Sequence, residues 1–118
     1  MASPAPSAAR RATAETVTIG DELVLGETLD TNARDLARSL RAIGVAVKRH
    51  TAIGDDTAAI ARAVREAAAR APIVITTGGL GPTFDDPTRA ALALAAGVET
   101  VFDAALWADV EAMFARFG

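Results

Sequence analysis

The sequence predicts an α/β domain of three layers, a mostly parallel sheet with helices on both faces. Three observations lead there. β-branched runs alternate with segments whose apolar residues recur at i, i+3, i+4 and i+7. Residues able to cap a helix stand before those segments, and glycine or proline follows them. The third strand candidate is a short continuous apolar run, as expected where both faces of a parallel sheet are covered.

Taken in order, residues 1–14 (MASPAPSAARRATA) combine Pro4 and Pro6 with a Ser/Ala background and read as a disordered leader. They lack the Leu- or Val-rich core of a secretion signal. ETVTIG (15–20) is the first strand, ended by Gly20. Asp30, Thr31 or Asn32 can cap a helix whose apolar face is Ala33, Leu36, Ala37, Leu40 and Ile43, and Gly44 stands where a C′ glycine ends it. VAVKRHTAI (45–53) alternates in part and reads as the second strand. Asp55, Asp56 or Thr57 can cap the next helix, with Ile60, Ala63, Val64, Ala67 and Ala68 on one face and Pro72 closing it. PIVITT (72–77) is the third strand. Asp86 as N-cap and Pro87 at N1 predict a helix running to about Ala96 and stopping at Gly97. After VETVF, Asp103 caps a last helix striped by Leu106, Val110, Met113, Phe114 and Phe117. Phe114 and Phe117 call for a covering surface that the sequence does not supply. The domain, residues 15–118, is therefore expected to be incomplete at its C-terminus.

A chain of 118 residues fits one domain with a real core. Twelve basic against 15 acidic residues leave a net charge of −3, and no basic stripe is present to displace counterions from nucleic acid. The absence of cysteine excludes disulfides, thiolate metal sites and a cysteine nucleophile, and fits a cytoplasmic protein. No run approaches the roughly 20 apolar residues of a membrane span.

In a parallel sheet the loops leaving the carboxyl ends of the strands form the ligand crevice. Here they are 20–32, 53–57 and 77–87, which hold most of the unusual residues. Residues 76–88 read TTGGLGPTFDDPT. The segment lacks the Lys-Ser/Thr pair of a Walker A loop and the spacing of G-x-G-x-x-G. Even so, Gly78, Gly79 and Gly81 let successive N–H groups face one concavity before a helix start, a setting for phosphate, with Thr83 and Thr88 as hydroxyl donors. A tight turn needing glycine only for its geometry is the alternative. Asp86 suits an N-cap, whereas Asp85 gains nothing from capping. Two carboxylates beside a phosphate imply a cation between them, and Mg²⁺ commonly takes one or two carboxylates plus phosphate oxygens. Asp55 and Asp56 repeat the pairing after the second strand. GDELVLGETLDTN (20–32) adds Asp21, Glu22, Glu27 and Asp30 between Gly20 and Asn32. His50, the single histidine, lies mid-strand between Arg49 and Thr51 and reads as surface or core lining without a catalytic role.

TIGDELVLGETLDTN, IGDD and VITTGGLGPTFDDPTR together resemble the N-terminal domain of the CinA (competence/damage-inducible protein) family. More distantly they resemble the molybdopterin-binding domains of the MogA, MoeA and gephyrin group. The resemblance covers about residues 15–118. It implies a three-layer α/β fold, with Asp55 and Asp86 at the positions of two acids that support magnesium-dependent nucleotide chemistry. It also implies metal-dependent hydrolysis of ADP-ribose to AMP and ribose 5-phosphate, and assembly into dimers or trimers. On that basis a divalent cation (Mg²⁺, Mn²⁺ or Co²⁺) is expected on Asp85 and Asp86, with Asp55 as a third candidate. Glu22 or Asp21 is the candidate general base. Gly20, Asp21, Asp30, Asn32 and the glycine loop are expected to hold the substrate. Binding of molybdopterin or another phosphorylated pterin without hydrolysis is the alternative, an inactive fragment a third. The sequence departs from the family at Pro87, where an aliphatic residue is usual, and lacks the later strands and Gly/Pro-rich segment. The nicotinamide mononucleotide deamidase domain common in CinA proteins is also missing, so that activity is not expected.

Overall fold

The computed structural model describes residues 13–81 and 86–117. Strand β1 (Thr13–Ile19) is followed by a short helix α1 (Asp21–Val24), helix α2 (Thr31–Ala42) and strand β2 (Ala46–Ile53). Helix α3 (Thr57–Arg70), strand β3 (Ile73–Thr77), helix α4 (Thr88–Ala96) and helix α5 (Ala104–Phe117) complete the order. The three strands form a parallel sheet in the order β2-β1-β3. β1 is central and buried along nearly its whole length.

Because side chains alternate along a strand, β1 presents two different faces. Glu15, Val17 and Ile19 point one way. Val17 and Ile19 form the core with Ile60 of α3 and Ala91 of α4, and Ile53, Val64 and Val74 pack against it. Thr16 and Thr18 point the other way, toward the start of α2, and are equally buried. Helices therefore cover both faces, as the sequence predicts. Fully burying a side chain such as Ile60 contributes roughly 1.5–3 kcal/mol, so this small apolar cluster is the main source of cohesion.

Glu15 lies at the edge of the apolar face. Its carboxylate accepts two hydrogen bonds from the Arg70 guanidinium, from Nε at 2.7 Å and Nη2 at 2.8 Å. Those bonds hold Glu15 below the ordinary glutamate range against the opposing effect of burial, and the charges of Arg70 and Arg49 push the same way as the bonds.

The β1–β2 ladder carries an irregularity at its entry. Ala14 is level with Val47 but Glu15 with Arg49, so Lys48 bulges out of the pairing. From there Thr16 is level with His50 and Ile19 with Ile53.

Several local expectations need correction. β1 starts at Thr13 and Ala14 is fully buried, so these two residues belong to the sheet and not to a disordered leader. The rest of the leader, residues 1–12, lies outside the described residues. Part of loop 20–32 is the helical turn α1, whose Leu25 N–H donates to the Asp21 carbonyl at 2.9 Å. Asp86 is not the N-cap of α4. That position is Pro87, and the helix begins at Thr88. At that start the Thr88 N–H donates to the Gly79 carbonyl at 3.2 Å, so the glycine turn satisfies one of the first donors of the helix. The other caps are as expected. Asp30, Asp56 and Asp103 accept from the N–H groups of Ala33, Ala59 and Leu106 at 3.1, 2.9 and 3.0 Å. Gly97 ends α4 in the left-handed conformation. On α5, Leu106, Trp107, Phe114 and Phe117 are all more than half exposed, and the helix makes no extended contact with the sheet among the described residues.

Candidate functional site

At the carboxyl end of β1 a cleft of about 210 Å³ opens between Ile19, the loop from Glu22 to Asn32, and Thr77–Gly78 at the end of β3. Its floor depends on a close approach that only glycine permits. Gly78 has φ 88°, and a Cβ there would run into the Ile19 carbonyl oxygen. The next turn residue, Gly79 (φ 65°), would likewise meet the Thr88 hydroxyl. The glycines thus press the turn against the end of β1.

Two of the three loops are tied together here. The Gly20 N–H donates to the Ile53 carbonyl at 2.9 Å, joining the ends of β1 and β2. The Asp55 N–H donates to Asp21 Oδ1 at 2.8 Å, and a Cβ at Gly54 would sit 2.6 Å from the same oxygen. One oxygen of Asp21 thus fastens loop 53–57 to α1. Asp56 caps α3, so of the two adjacent acids it is Asp55 whose carboxylate makes no hydrogen bond or ion pair among the described residues. Asp55 and Glu22 are both exposed, and Glu22 lines the cleft. On the β3 side, a Cβ at Gly81 would sit 2.6 Å from Asp86 Oδ2, so the Asp86 carboxylate lies against the glycine turn.

Of the predicted residues, the structure gathers Glu22, Asp30, Asn32 and Gly78 around the cleft. Asp21, Asp55 and Gly20 belong to the loop junction beside it, and Gly79, Gly81 and Asp86 to the turn. Thr83 and Asp85 lie outside the described residues. Thr88 is completely buried and its hydroxyl donates to the Gly78 carbonyl at 2.6 Å, so it shapes the turn and does not offer a donor to a ligand. Asp30 contributes to the wall, but its carboxylate is committed internally. Oδ1 caps α2, and Oδ2 accepts from the Thr18 hydroxyl at 2.5 Å and from His50 Nε2 at 2.8 Å. Burial alone would raise the Asp30 pKa. The bonds from Thr18, the Ala33 N–H and His50 outweigh it and hold the group below the ordinary aspartate range.

His50 is the residue that sequence reasoning missed. Its ring bridges Thr16 Oγ1 (2.8 Å from Nδ1) and Asp30, and so touches the site. A signal was present in β1 itself: two threonines two residues apart in a buried strand must find hydrogen-bond partners on one face.

Among the described residues no three His, Cys, Asp or Glu side chains gather closely enough to hold a metal ion by themselves. The donors near the turn are carboxylate oxygens, which suit a hard cation completed by phosphate oxygens of a ligand.

Glycine turn, strand-end acids and cleft at one edge of a parallel sheet define a small-molecule-binding α/β domain. A family model described as "Probable molybdopterin binding domain" matches residues 15–117, and the chain belongs to that family. Within it, the chain is similar to CinA proteins. It is 54% identical, over 88% of its own length and 24% of the relative's, to a CinA-like protein of Gemmatimonas aurantiaca. The crystal structure of the protein CinA from Thermoplasma acidophilum superimposes with a TM-score of 0.76 at 36% identity, covering 82% of this chain and 56% of that one. The molybdopterin biosynthesis enzyme MoaB of Thermus thermophilus shares the fold, with a TM-score of 0.63 at 24% identity over 68% of this chain and 52% of that one. The chain spans about a quarter of the length of the curated relatives it matches. No helix among the described residues is long and apolar enough to cross a membrane.

Proposed function

We propose that the domain hydrolyses the pyrophosphate of ADP-ribose, giving AMP and ribose 5-phosphate with the help of a divalent cation. One observation carries this reading. Of two adjacent acids at the end of β2, Asp56 serves the helix, while the exposed Asp55 carboxylate has no hydrogen-bond or ion-pair partner among the described residues and stands at the mouth of the strand-end loops. An exposed carboxylate kept clear of structural duty at the strand ends suits chemistry at phosphorus.

In this scheme backbone N–H groups of the turn from Gly79 onward receive one phosphate, aided by the N-terminus of α4. Asp86, with Asp85, would hold Mg²⁺, Mn²⁺ or Co²⁺, whose role when bound is to neutralise charge developing on the phosphoryl oxygens. Glu22, exposed on the cleft wall, accepts the proton of the attacking water, and Asp55 orients that water. The water oxygen forms a bond to one phosphorus as the bridging oxygen leaves. Asp21 contributes by fixing the Asp55 loop. Members of the family that act as assemblies would present such a site once in each copy.

The second reading is a binding domain for a phosphorylated pterin without turnover. The family description favours it. Phosphorus NMR of ADP-ribose with the chain and each cation separates the two. The pyrophosphatase reading requires AMP and ribose 5-phosphate from the parent, with loss of at least about 100-fold in rate in Asp55→Asn and Asp86→Ala. Nucleotide left intact while a pterin phosphate binds would replace it by the second reading.

A further inference from the structure

The polar chain Thr16–His50–Asp30–Thr18 crosses from the central strand to the cap of α2 and stops at the wall of the cleft. Its order fixes hydrogen positions. Asp30 Oδ2 can only accept, so His50 Nε2, 2.8 Å away, carries a proton. In the neutral ring Nδ1 is then an acceptor, and the Thr16 hydroxyl at 2.8 Å donates to it. Thr18 donates to the same Oδ2 from the adjacent position of the strand face. Both threonines are 1% exposed, while the His50 and Asp30 side chains are 33% and 21% exposed. The strand supplies the rigid part and the histidine reaches over the rim.

We infer that His50 is a positioning residue for the cleft: it clamps the Asp30 carboxylate, and through that cap fixes the first turn of α2, where Thr31 and Asn32 meet the ligand. The inference rests on the cleft being the ligand site. Asp30 uses one oxygen for the Ala33 N–H and the other for Thr18 and His50, so the carboxylate is held from both sides. Without the imidazole, Oδ2 keeps only the Thr18 bond and the carboxylate gains freedom about its own axis. The next two residues, Thr31 and Asn32, line the cleft and would inherit that freedom. A histidine serving only the core would direct both nitrogens inward. This one bridges core hydroxyl and cleft wall.

The test uses the full chain and its single histidine, whose ring signals are unambiguous. Proton–nitrogen spectra of the parent should show the proton on Nε2. In His50→Leu the amide signals of Thr31, Asn32 and Ala33 should shift while those of Ile60 and Ala91 stay in place. Affinity for ADP-ribose, and separately for a phosphorylated pterin, should fall about tenfold. His50→Gln, which can still donate to Asp30, should recover part of both effects. Thr16→Val, which is nearly isosteric and spares Asp30, should give a smaller change in the same direction and serves if His50→Leu does not fold. Unmoved α2 amides, or moved amides with unchanged affinity, would overturn the inference. Moved amides in a parent that binds neither ligand would overturn the reading of the cleft and leave the clamp on α2 standing.

Discussion

The two faces of β1 are buried to the same degree but held by different forces. On one, Val17 and Ile19 meet Ile60 and Ala91. On the other, Thr16 and Thr18 engage His50 and Asp30. Apolar burial is proportional to area and has no preferred direction. A hydrogen bond weakens steeply when its angle is wrong. The first face therefore supplies cohesion and the second supplies aim. The second face reaches the cleft through Asp30, and Thr77, level with Thr18 on the neighbouring strand, lies in the same wall. A domain built this way can lose stability at the first face without moving its site, whereas a change at the second moves the site as well.

That separation can be broken at several points. Ile60→Ala should have the largest effect, about 2–5 kcal/mol in urea unfolding, because the site is fully buried and touches both strand and helix. The α2 amide signals of the folded fraction should nevertheless stay in place. Gly78→Ala should cost about 1–3 kcal/mol from backbone strain alone, and more from the collision with the Ile19 carbonyl. Unlike Ile60→Ala, it should also distort the cleft, seen as lost ligand affinity. A pair of isosteric exchanges sharpens the contrast. Val17→Thr buries a hydroxyl in the apolar cluster and Thr18→Val removes one from the polar chain; each should cost about 1–3 kcal/mol. Only Thr18→Val should shift the Thr31 and Asn32 amides, and equal shifts in both would erase the distinction between the faces.

The smallest effect is acid sensitivity, which the two faces share. Glu15 is held low by its bonds to Arg70 against burial. Asp30 is held low by Thr18, the Ala33 N–H and His50, again against burial. A carboxylate whose folded pKa lies below its unfolded value stabilises the fold fully above the unfolded value. That contribution is lost as pH falls through the folded one. Thermal stability should therefore be level near neutrality and decline as pH falls through and below the ordinary carboxylate range, less steeply in Glu15→Gln and in Asp30→Asn.

What could be read from the sequence was local. Asp30, Asp56 and Asp103 announce their helices because a cap acts on an N–H three residues away, and Gly97 is needed wherever a helix ends left-handed. The parallel order follows from alternating strands and helices. What escaped depends on distance along the chain. His50 and Asp30 are 20 residues apart, and Thr16 and His50 are 34 apart. Only the lateral order of β1 and β2 brings them together. Asp86 and Pro87 mislead for a related reason. The helix starts one turn position later because the Thr88 N–H is taken by Gly79, nine residues before it, a return of the chain that no local rule contains. Asp21 likewise fastens, with one of its oxygens, a loop 34 residues away.

The bulge at Lys48 gives β2 some slack. Were the pairing regular from Ala14 onward, Arg49 and not His50 would lie level with Thr16. A chain shortened by one residue at Lys48 could close the ladder and leave His50, Ala52 and Ile53 beside the same partners. A residue lost between His50 and Ile53 would turn every later position to the opposite face. Changes in length are thus absorbed where β2 enters the sheet and transmitted where it leaves, so the reading frame of the site is buffered against what happens upstream of it.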